Sequence, residues 1–196
     1  MKKLSFFSFL SAIFIICFSV SAFAADFYVI SVQNKCGPCK GTSSAGGRWC
    51  DNGDGTITDM TTCLVWLKYA KWGGVKKWRS NTVDDYDDAN TRAGILASGE
   101  TISTGGETVY LTDGSIEGDW RLPTKTELSG IINQGGETVC SSKMQLFAGV
   151  QSYYYWSSNT YASDTELAWY VIMNDGETSY WSKKLFYYVW PVRSDN

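Results

Sequence analysis

The stretch from Asp119 to Leu128 reads DWRLPTKTEL and marks the start of a helix. Pro123 lacks a backbone N–H and biases the residue before it toward an extended conformation, so the helix begins no earlier than this proline. Thr124 precedes Glu127 by three residues, the spacing of a capping box, in which each side chain satisfies a free amide at the helix start. The stretch therefore predicts that an extended segment turns abruptly into a helix that runs to about Asn133.

Short runs of β-branched and aromatic residues recur along the chain and are separated by turn residues. The turn-rich segment at 51–55 precedes a predicted hairpin with strands at 56–59 and 63–67. Acidic residues come first and apolar residues later between 84 and 96, which predicts an amphipathic helix. The other predicted strands lie at 26–33, 153–157, 167–173, 178–182 and 187–192, with a further hairpin at 101–112. Two helices among short antiparallel sheets and long loops predict a single α+β domain.

The first 24 residues have the pattern of a secretory signal peptide. Met1-Lys2-Lys3 is followed by an apolar run from Leu4 to Val20, and small residues precede a cleavage position after Ala24. An uncleaved membrane anchor is the alternative, but the run is near the short limit for a spanning helix. We expect a periplasmic, cell-surface or secreted protein. Its parts would be the signal peptide (1–24), an N-terminal strand with a Cys/Gly/Ser-rich loop (25–49), and a domain (50–196).

The composition narrows the classes of function. Cleavage would remove two lysines and no acid, changing the formal net charge from −3 to −5, which argues against general nucleic-acid binding. No second apolar run is long enough to span a membrane. The chain contains no histidine, which excludes Ser-His-Asp and Cys-His catalysis as well as histidine metal sites. We expect a binding protein that is not an enzyme and needs no cofactor.

One segment has a partial likeness to a metal site. Asn52–Ile57 matches part of a calcium-binding loop, but the first and last ligand positions fall on Cys50 and Thr61. Neither residue supplies the carboxylate that those positions require. A tight hairpin turn explains the same residues, so no metal site is predicted.

Five cysteines remain after cleavage, and an exported protein keeps most of its cysteines oxidised. Leaving one unpaired and joining the other four allows 15 two-bridge arrangements, among which the sequence does not choose. At least one disulfide is predicted among Cys36, Cys39, Cys50 and Cys63, and the fifth cysteine is Cys140. Cys36 and Cys39 also have the spacing of a thioredoxin-like redox centre. The residues after them are rich in glycine and serine and predict no helix, which favours a structural disulfide.

The segment Lys68–Arg79 packs five basic and three aromatic residues into twelve positions. Clustered cations attract sulfate groups and flat rings suit sugar faces, so this composition fits an acidic polysaccharide. The alternative is a solvated loop whose charges pair with the aspartates at 84, 85, 87 and 88. The predicted ligand-binding residues are Lys68, Lys71, Trp72, Lys76, Lys77, Trp78 and Arg79. The next residues to consider are Trp181, Tyr187 and Tyr188.

Six motifs follow one another along the chain, namely Asn52–Thr56, Leu64–Trp66, Asp119–Leu128, Tyr155–Ser158, Ala168–Trp169 and Pro191–Arg193. In this order they resemble the Lcl C-terminal domain family, a bacterial exported module named after a collagen-like adhesin, over roughly residues 50–193. The resemblance implies a C-type-lectin-like fold and a cell-surface binding role, because the adhesin that names the family uses this domain for sulfated glycans. The chain departs from the family where Trp190 replaces a usual arginine and where Thr101–Ile116 resembles an insertion.

The signature residues of these motifs are predicted to be structural. Aromatic residues of this kind usually fill cores, and the forked donors of arginine hold carboxylates or loop carbonyls. The residues assigned to this role are Trp66, Trp120, Arg121, Pro123, Thr124, Glu127, Trp156, Trp169 and Arg193.

The leading hypothesis is an exported, adhesin-like module that binds an acidic or sulfated polysaccharide or a surface protein. The first alternative is a structural surface or biofilm protein without a soluble ligand. A further alternative is a thiol-dependent enzyme related to the formylglycine-generating enzymes, or a CxxC redox protein.

Overall fold

The computed structural model describes residues 36–79, 87–103, 108–132 and 146–195. These residues belong to one compact unit that spans Gln33–Asn196. The predicted signal peptide, the strand predicted at 26–33, the aspartates at 84 and 85, and Cys140 lie outside the described residues. In the described parts of the chain, no helix has the length and apolar character needed to cross a bilayer.

Ten strands and two helices form the described part of the chain. The strands are β1 (Thr42–Ser43), β2 (Trp49–Asp51), β3 (Thr56–Asp59), β4 (Leu64–Leu67), β5 (Val75–Lys76), β6 (Tyr154–Thr160), β7 (Leu167–Ile172), β8 (Thr178–Ser182), β9 (Tyr187–Tyr188) and β10 (Val192–Ser194). The helices are α1 (Ala89–Gly94) and α2 (Lys125–Ile132). The α+β class predicted from the sequence is confirmed.

The strands form two five-stranded sheets. The first has the order β1-β2-β3-β4-β10 and is antiparallel throughout, and it contains the hairpin predicted at 56–67. The second has the order β5-β9-β6-β7-β8, in which only the contact between β6 and β9 is parallel. Strand β8 therefore forms one edge of the second sheet.

Helix α2 begins as the sequence predicts. The Thr124 backbone N–H donates to Glu127 Oε2 (2.7 Å), and the Glu127 N–H donates to Thr124 Oγ1 (3.2 Å), which completes the capping box. The Arg121 guanidinium also holds both oxygens of Glu127, each at 2.8 Å. One carboxylate thus fixes the helix start and the arginine of the preceding segment.

Helix α1 is shorter than the helix predicted for 84–96. Its N-cap is Asp88, whose Oδ1 accepts from the Thr91 N–H (2.8 Å), so the acidic residues at 87 and 88 precede the helix. Aspartate favours this cap because its short side chain reaches the free amides of the first turn. Three residues of the predicted segment, 84–86, lie outside the described residues.

The segment predicted as one strand at 187–192 is divided between the two sheets. β9 belongs to the second sheet and β10 to the first, and Val189–Pro191 connects them. Trp190 lies in this connection fully buried, and its Nε1 donates to the Leu67 carbonyl (2.8 Å). Pro191 has no N–H for a ladder, which ends regular pairing at the point where the chain changes sheets.

Two other predicted extended segments form only isolated bridges. Arg121 exchanges backbone hydrogen bonds with Val192 (3.0 Å each), which attaches the DWRLP segment to β10. Thr101 lies opposite Tyr110 in an antiparallel bridge whose hydrogen bonds run from the Ile102 N–H to the Val109 carbonyl and from the Leu111 N–H to the Glu100 carbonyl, both 2.8 Å. The centre of this predicted hairpin, at 104–107, lies outside the described residues.

Tryptophans form much of the interior. Trp66, Trp120, Trp156 and Trp190 are each at most 2% exposed. The indole N–H groups of three of them donate to Ser115 Oγ, the Lys76 carbonyl and the Leu67 carbonyl at 2.8–2.9 Å. A buried indole is stabilised when its one donor finds an acceptor, which is how these rings fix their orientation.

Arg48 and Arg193 connect separate parts of the fold. Arg48 Nη2 donates both to Asp59 Oδ2 in β3 (2.8 Å) and to the Gly130 carbonyl in α2 (2.9 Å). Arg193 Nε donates to Asp113 Oδ2 (3.0 Å), a carboxylate that is fully buried.

Burial raises the pKa of Asp59, but hydrogen bonds from Arg48 and from Thr61 outweigh it, so the pKa lies below its ordinary value.

Two disulfides join the N-terminal part of the described chain to the first sheet. Cys36 pairs with Cys63 and Cys39 with Cys50, with Cα–Cα distances of 5.1 and 5.6 Å. The prediction of at least one bridge among these four cysteines is confirmed. The redox-centre alternative requires a bond within the CxxC motif, and each of its cysteines instead has another partner.

Removing the Cys36–Cys63 bridge will destabilise the protein more than removing the Cys39–Cys50 bridge. Their sequence separations are 27 and 11 residues, and a longer closed loop restricts the unfolded chain more. Each paired Cys→Ser double variant should lose about 2–4 kcal/mol, with the longer loop costing roughly 0.8 kcal/mol more. Urea denaturation of the two variants and the parent measures both losses, and equal or reversed losses would contradict this order.

Glu127→Gln will lower the free energy of unfolding by about 1 kcal/mol at neutral pH, because it weakens the cap and the Arg121 pair. Burial alone raises the pKa of Glu127, but hydrogen bonds from Arg121 and Thr124 outweigh it, so the pKa lies below its ordinary value of 4.5. The ionised carboxylate thus stabilises the fold fully at pH values above 4.5. This contribution disappears as the pH falls through the lower pKa that Glu127 has in the folded protein.

Urea denaturation across this pH range measures the difference between parent and variant. Glu117→Gln is the matched control, because Glu117 is exposed. If the difference in free energy of unfolding between the parent and Glu127→Gln stays constant down to acid pH, the charge of the carboxylate does not cause the stabilisation.

Candidate functional site

The basic segment Lys68–Arg79 runs from the first sheet to the second, and acidic neighbours neutralise part of it. Lys68 Nζ lies 2.6 Å from Asp51 Oδ2, and Lys76 pairs with Asp87. Lys77 Nζ lies 5.5 Å from the centre of the Phe186 ring, and Arg79 is exposed. Lys77 and Arg79, at the end of the segment that borders the second sheet, and Lys71, in its middle, form no salt bridge with a described acidic residue.

The two tryptophans of this segment are interior residues. Trp72 is 7% exposed and Trp78 is 9% exposed, and their Nε1 atoms donate to the carbonyls of Thr101 (2.9 Å) and Ser157 (2.7 Å). Arg92 lies 4.1 Å from the first ring centre and Lys183 lies 4.0 Å from the second. Neither ring offers an open face to a sugar, so the platform role predicted for them is corrected to a structural one.

A cleft of about 420 Å³ opens beside the start of α2. Helix α2 and its cap contribute one wall, while the end of β6 and the turn after it contribute the other. Strand β7 supplies Trp169. The lining residues are Thr124, Lys125, Thr126, Asn159, Thr160, Tyr161, Ala162 and Trp169.

Strand alternation directs Trp169 into the cleft. Its neighbours in β7, Ala168 and Tyr170, are buried, whereas Trp169 itself is partly exposed. Successive side chains of a strand point to opposite faces, so the two neighbours pack in the core while Trp169 faces outward. The Ala168–Trp169 motif therefore presents one indole at the surface.

Trp169 belongs to a cluster of three aromatic rings. Tyr180, its partner in β8, lies edge-on at 5.1 Å between ring centres, and Tyr161 lies edge-on at 5.7 Å. The two tyrosine rings stack on each other at 3.8 Å and 9°. Interaction between their hydroxyl groups lowers the pKa of Tyr161 and raises the pKa of Tyr180. The cluster gives the cleft an aromatic wall formed by Tyr161 and Trp169, which Tyr180 supports.

Two lysines lie beside this aromatic cluster. Lys125 Nζ lies 3.6 Å from the centre of the Trp169 ring, and the Lys125 backbone N–H donates to Asn159 Oδ1 (2.7 Å). Lys183 Nζ donates to Thr160 Oγ1 (2.9 Å). Desolvation lowers the pKa of Lys183, the carboxylate of Glu166 counteracts it, and the nearby charge of Arg79 lowers it further.

The cleft combines features that suit a flat, hydroxylated and negatively charged ligand. Aromatic faces pack against apolar faces of a ligand, while a small number of fixed polar groups set its orientation. Lys125 supplies positive charge at the same place, and Lys183 contacts the cleft through the hydroxyl of Thr160. The cleft therefore offers aromatic surface, fixed polar groups and positive charge within one small volume.

Most of these residues lie outside the motifs that predict a role from sequence. Trp169 was predicted to be structural, and Lys125, Asn159, Tyr161 and Lys183 were not selected. Their convergence depends on the pairing of β6, β7 and β8, which brings together residues far apart in the chain. The sequence pattern that points to this site is the alternation in β7, because it places Trp169 on the strand face opposite the buried Ala168 and Tyr170.

Comparison with known families gives one match. The Lcl C-terminal domain model matches residues 55–193, a range that contains every residue lining the cleft. No curated protein and no solved structure matches the chain. Because the family model covers more than half of the sequence, the chain belongs to the Lcl C-terminal domain family.

Proposed function

We propose that this protein is an exported, non-enzymatic module that binds acidic or sulfated glycans in the cleft beside α2. The observation that carries the proposal is the partly exposed Trp169 ring with Lys125 Nζ 3.6 Å from its centre. Lys125 covers one face of the Trp169 ring, so a sugar ring would pack through its C–H face against the aromatic surface that this lysine leaves exposed, while a sulfate or carboxylate group pairs with the lysine.

The polar lining supports a carbohydrate ligand. The hydroxyls of Thr124, Thr126 and Thr160 and the amide of Asn159 surround the aromatic cluster and can donate or accept hydrogen bonds. Asn159 is held by the Lys125 backbone N–H, so the amide is positioned before a ligand arrives. Groups fixed in advance reduce the entropy lost on binding.

The basic segment retains a secondary role in this proposal. Lys68 and Lys76 are paired with aspartates, whereas Arg79 is exposed and its charge acts on Lys183. We therefore assign the main charge contacts to Lys125 and Lys183, with Arg79 extending the positive rim for a longer polymer.

Export is supported by the two disulfides, which persist in oxidising compartments. A C-type-lectin-like topology is part of the proposal, and it is supported by the C-terminal strand β10, which returns to the sheet that contains β1. The described residues between 95 and 123 form isolated bridges and no longer strand, and such long connections also suit this fold. Binding to a surface protein and a purely structural role remain the alternatives to glycan binding.

Trp169→Ala will weaken binding of a short sulfated oligosaccharide to residues 25–196 at least tenfold, which equals about 1.4 kcal/mol. The ring is partly exposed, so its loss should leave the melting temperature within a few degrees of the parent value. Isothermal titration calorimetry gives the affinity, and Trp181→Ala is the matched control because Trp181 is exposed outside the cleft.

Two outcomes would contradict the cleft assignment. If Trp169→Ala binds as well as the parent while the triple variant Lys76→Ala, Lys77→Ala, Arg79→Ala does not, the ligand binds the basic segment. If the parent binds no member of a sulfated and neutral glycan array, the structural alternative is favoured.

Binding will weaken steeply as salt rises, because the screening length falls from about 10 Å at 0.1 M to about 3 Å at 1 M. The double variant Lys125→Ala, Lys183→Ala should show a shallower salt dependence than the parent in the same titrations. Lys76→Ala is the matched control, since its ion pair with Asp87 already neutralises that charge. Equal slopes for the double variant and the parent would remove these lysines from the site.

A further inference from the structure

One face of the Trp169 ring is already occupied by a side chain of the protein itself. Lys125 Nζ lies 3.6 Å from the ring centre, whereas the other cations over aromatic rings in the described parts of the chain lie 4.0–5.5 Å away. An ammonium group this close touches the ring, since nonbonded heavy atoms meet at about 3.5–4.0 Å. No sugar ring fits between the two groups, so this face becomes available only when the lysine side chain moves.

The lysine side chain is the part of this contact that can move. The Trp169 ring packs edge-on against Tyr180 at 5.1 Å and against Tyr161 at 5.7 Å between ring centres. The main chain at Lys125 is fixed as well, because its N–H donates to Asn159 Oδ1 (2.7 Å). The ammonium group lies at the end of a flexible four-carbon stem, so it can leave the ring while the backbone and the indole stay in place.

The ammonium group of Lys125 has no carboxylate partner among the described residues. Glu127, the acidic residue in the first turn of α2, is held by Arg121 through both of its oxygens at 2.8 Å. A cation over an aromatic ring in a partly exposed cleft is held weakly. A charge-assisted hydrogen bond to a sulfate or carboxylate group is stronger, so such a group would draw the lysine from the ring.

The position of Lys125 in the chain does not favour helix stability. Lys125 is the first residue of α2, where the helix dipole stabilises negative charge and disfavours positive charge. Among the described residues, no carboxylate pairs with the lysine to offset this effect. The favourable contacts of this charge are therefore those that it makes in the cleft.

We propose that Lys125 is a specificity-determining residue that makes binding at Trp169 depend on negative charge in the ligand, an inference that rests on the proposed function. A sulfate or carboxylate group pairs with the ammonium group and draws the lysine off the ring, which adds the uncovered face to the surface available to the sugar. A neutral sugar gains no ion pair, so it displaces the lysine without compensation or uses only the surface that the lysine leaves exposed. The cleft thus discriminates against neutral glycans by shielding as well as by charge.

NMR titrations of residues 25–196 with a sulfated tetrasaccharide, and with the same tetrasaccharide after removal of its sulfate groups, test this role. The indole N–H signal of Trp169 reports both affinities, including weak ones. Lys125→Ala should lower the affinity for the sulfated form about fivefold or more, because an ion pair is lost. The same variant should raise the affinity for the desulfated form about two- to fivefold, because the ring face is uncovered.

Lys125→Met is the matched variant, because it removes the charge but keeps a long side chain that packs on an aromatic ring. It should lose affinity for the sulfated form as Lys125→Ala does, without the gain for the desulfated form. Lys184→Ala is the control for loss of a positive charge, since Lys184 is exposed and does not line the cleft. Equal gains of Lys125→Ala and Lys125→Met for the desulfated form would overturn the shielding role.

The chemical shift of the Lys125 side chain measures its displacement directly. Protons over the face of an aromatic ring resonate upfield, so the Cε protons of Lys125 should be shifted upfield in the free protein. They should return to the ordinary lysine position when the sulfated tetrasaccharide saturates the cleft. The signal is identified by its absence from the spectrum of Lys125→Ala. A signal that stays upfield at saturation would show that the ligand leaves the lysine on the ring, which would overturn the proposal.

The glycan site and the shielding role can fail separately. If the parent binds the sulfated tetrasaccharide through Trp169 but Lys125→Ala gains no affinity for the desulfated form, the glycan site stands and the shielding role is overturned. If the parent binds neither form, the proposed function is contradicted and the shielding role is overturned with it.

Discussion

The fold depends on the passage of the C-terminal chain from one sheet to the other, and Trp190 makes that passage possible. Its ring lies edge-on to Trp66 at 5.5 Å and to Phe147 at 5.1 Å, and it also contacts Tyr155 at 5.7 Å. These rings come from the first sheet, the segment before β6, and the second sheet. A single buried indole therefore packs against both sheets while the chain crosses between them. Large aromatic rings contribute substantial buried area, which offsets the missing ladder bonds of the crossing.

The crossing from β9 to β10 also explains how Trp190, a residue unusual for the family motif, is accommodated. The family pattern has arginine where this chain has Trp190, and a charged group at a fully buried position would need a compensating partner. The indole N–H instead needs one acceptor, which the Leu67 carbonyl of β4 supplies at 2.8 Å. The same carbonyl lies at the end of the strand that pairs with β10. Core packing and strand order are thus coupled at one residue.

Local chemistry made some elements predictable from sequence, while long-range pairing hid others. The capping box at Thr124 and Glu127 and the hairpin at 56–67 depend on neighbouring residues, and both occur as predicted. The extended appearance of 187–192 concealed a change of sheet, because alternation describes one strand and carries no information about its partner. Composition likewise singled out Trp72 and Trp78, although their burial depends on contacts with distant residues. The cleft could not be predicted from the sequence, because its walls meet only when β6, β7 and α2 are assembled.

The uneven burial of the tryptophans has a practical consequence for spectroscopy. The chain has nine tryptophans, and seven of them are at most 9% exposed. The two that solvent reaches are Trp169, in the cleft, and Trp181, on the edge strand. A collisional quencher such as iodide or acrylamide would therefore extinguish emission mainly from these two positions. The Trp181→Phe protein would leave the cleft indole as the principal accessible emitter, an intrinsic optical probe that requires no dye.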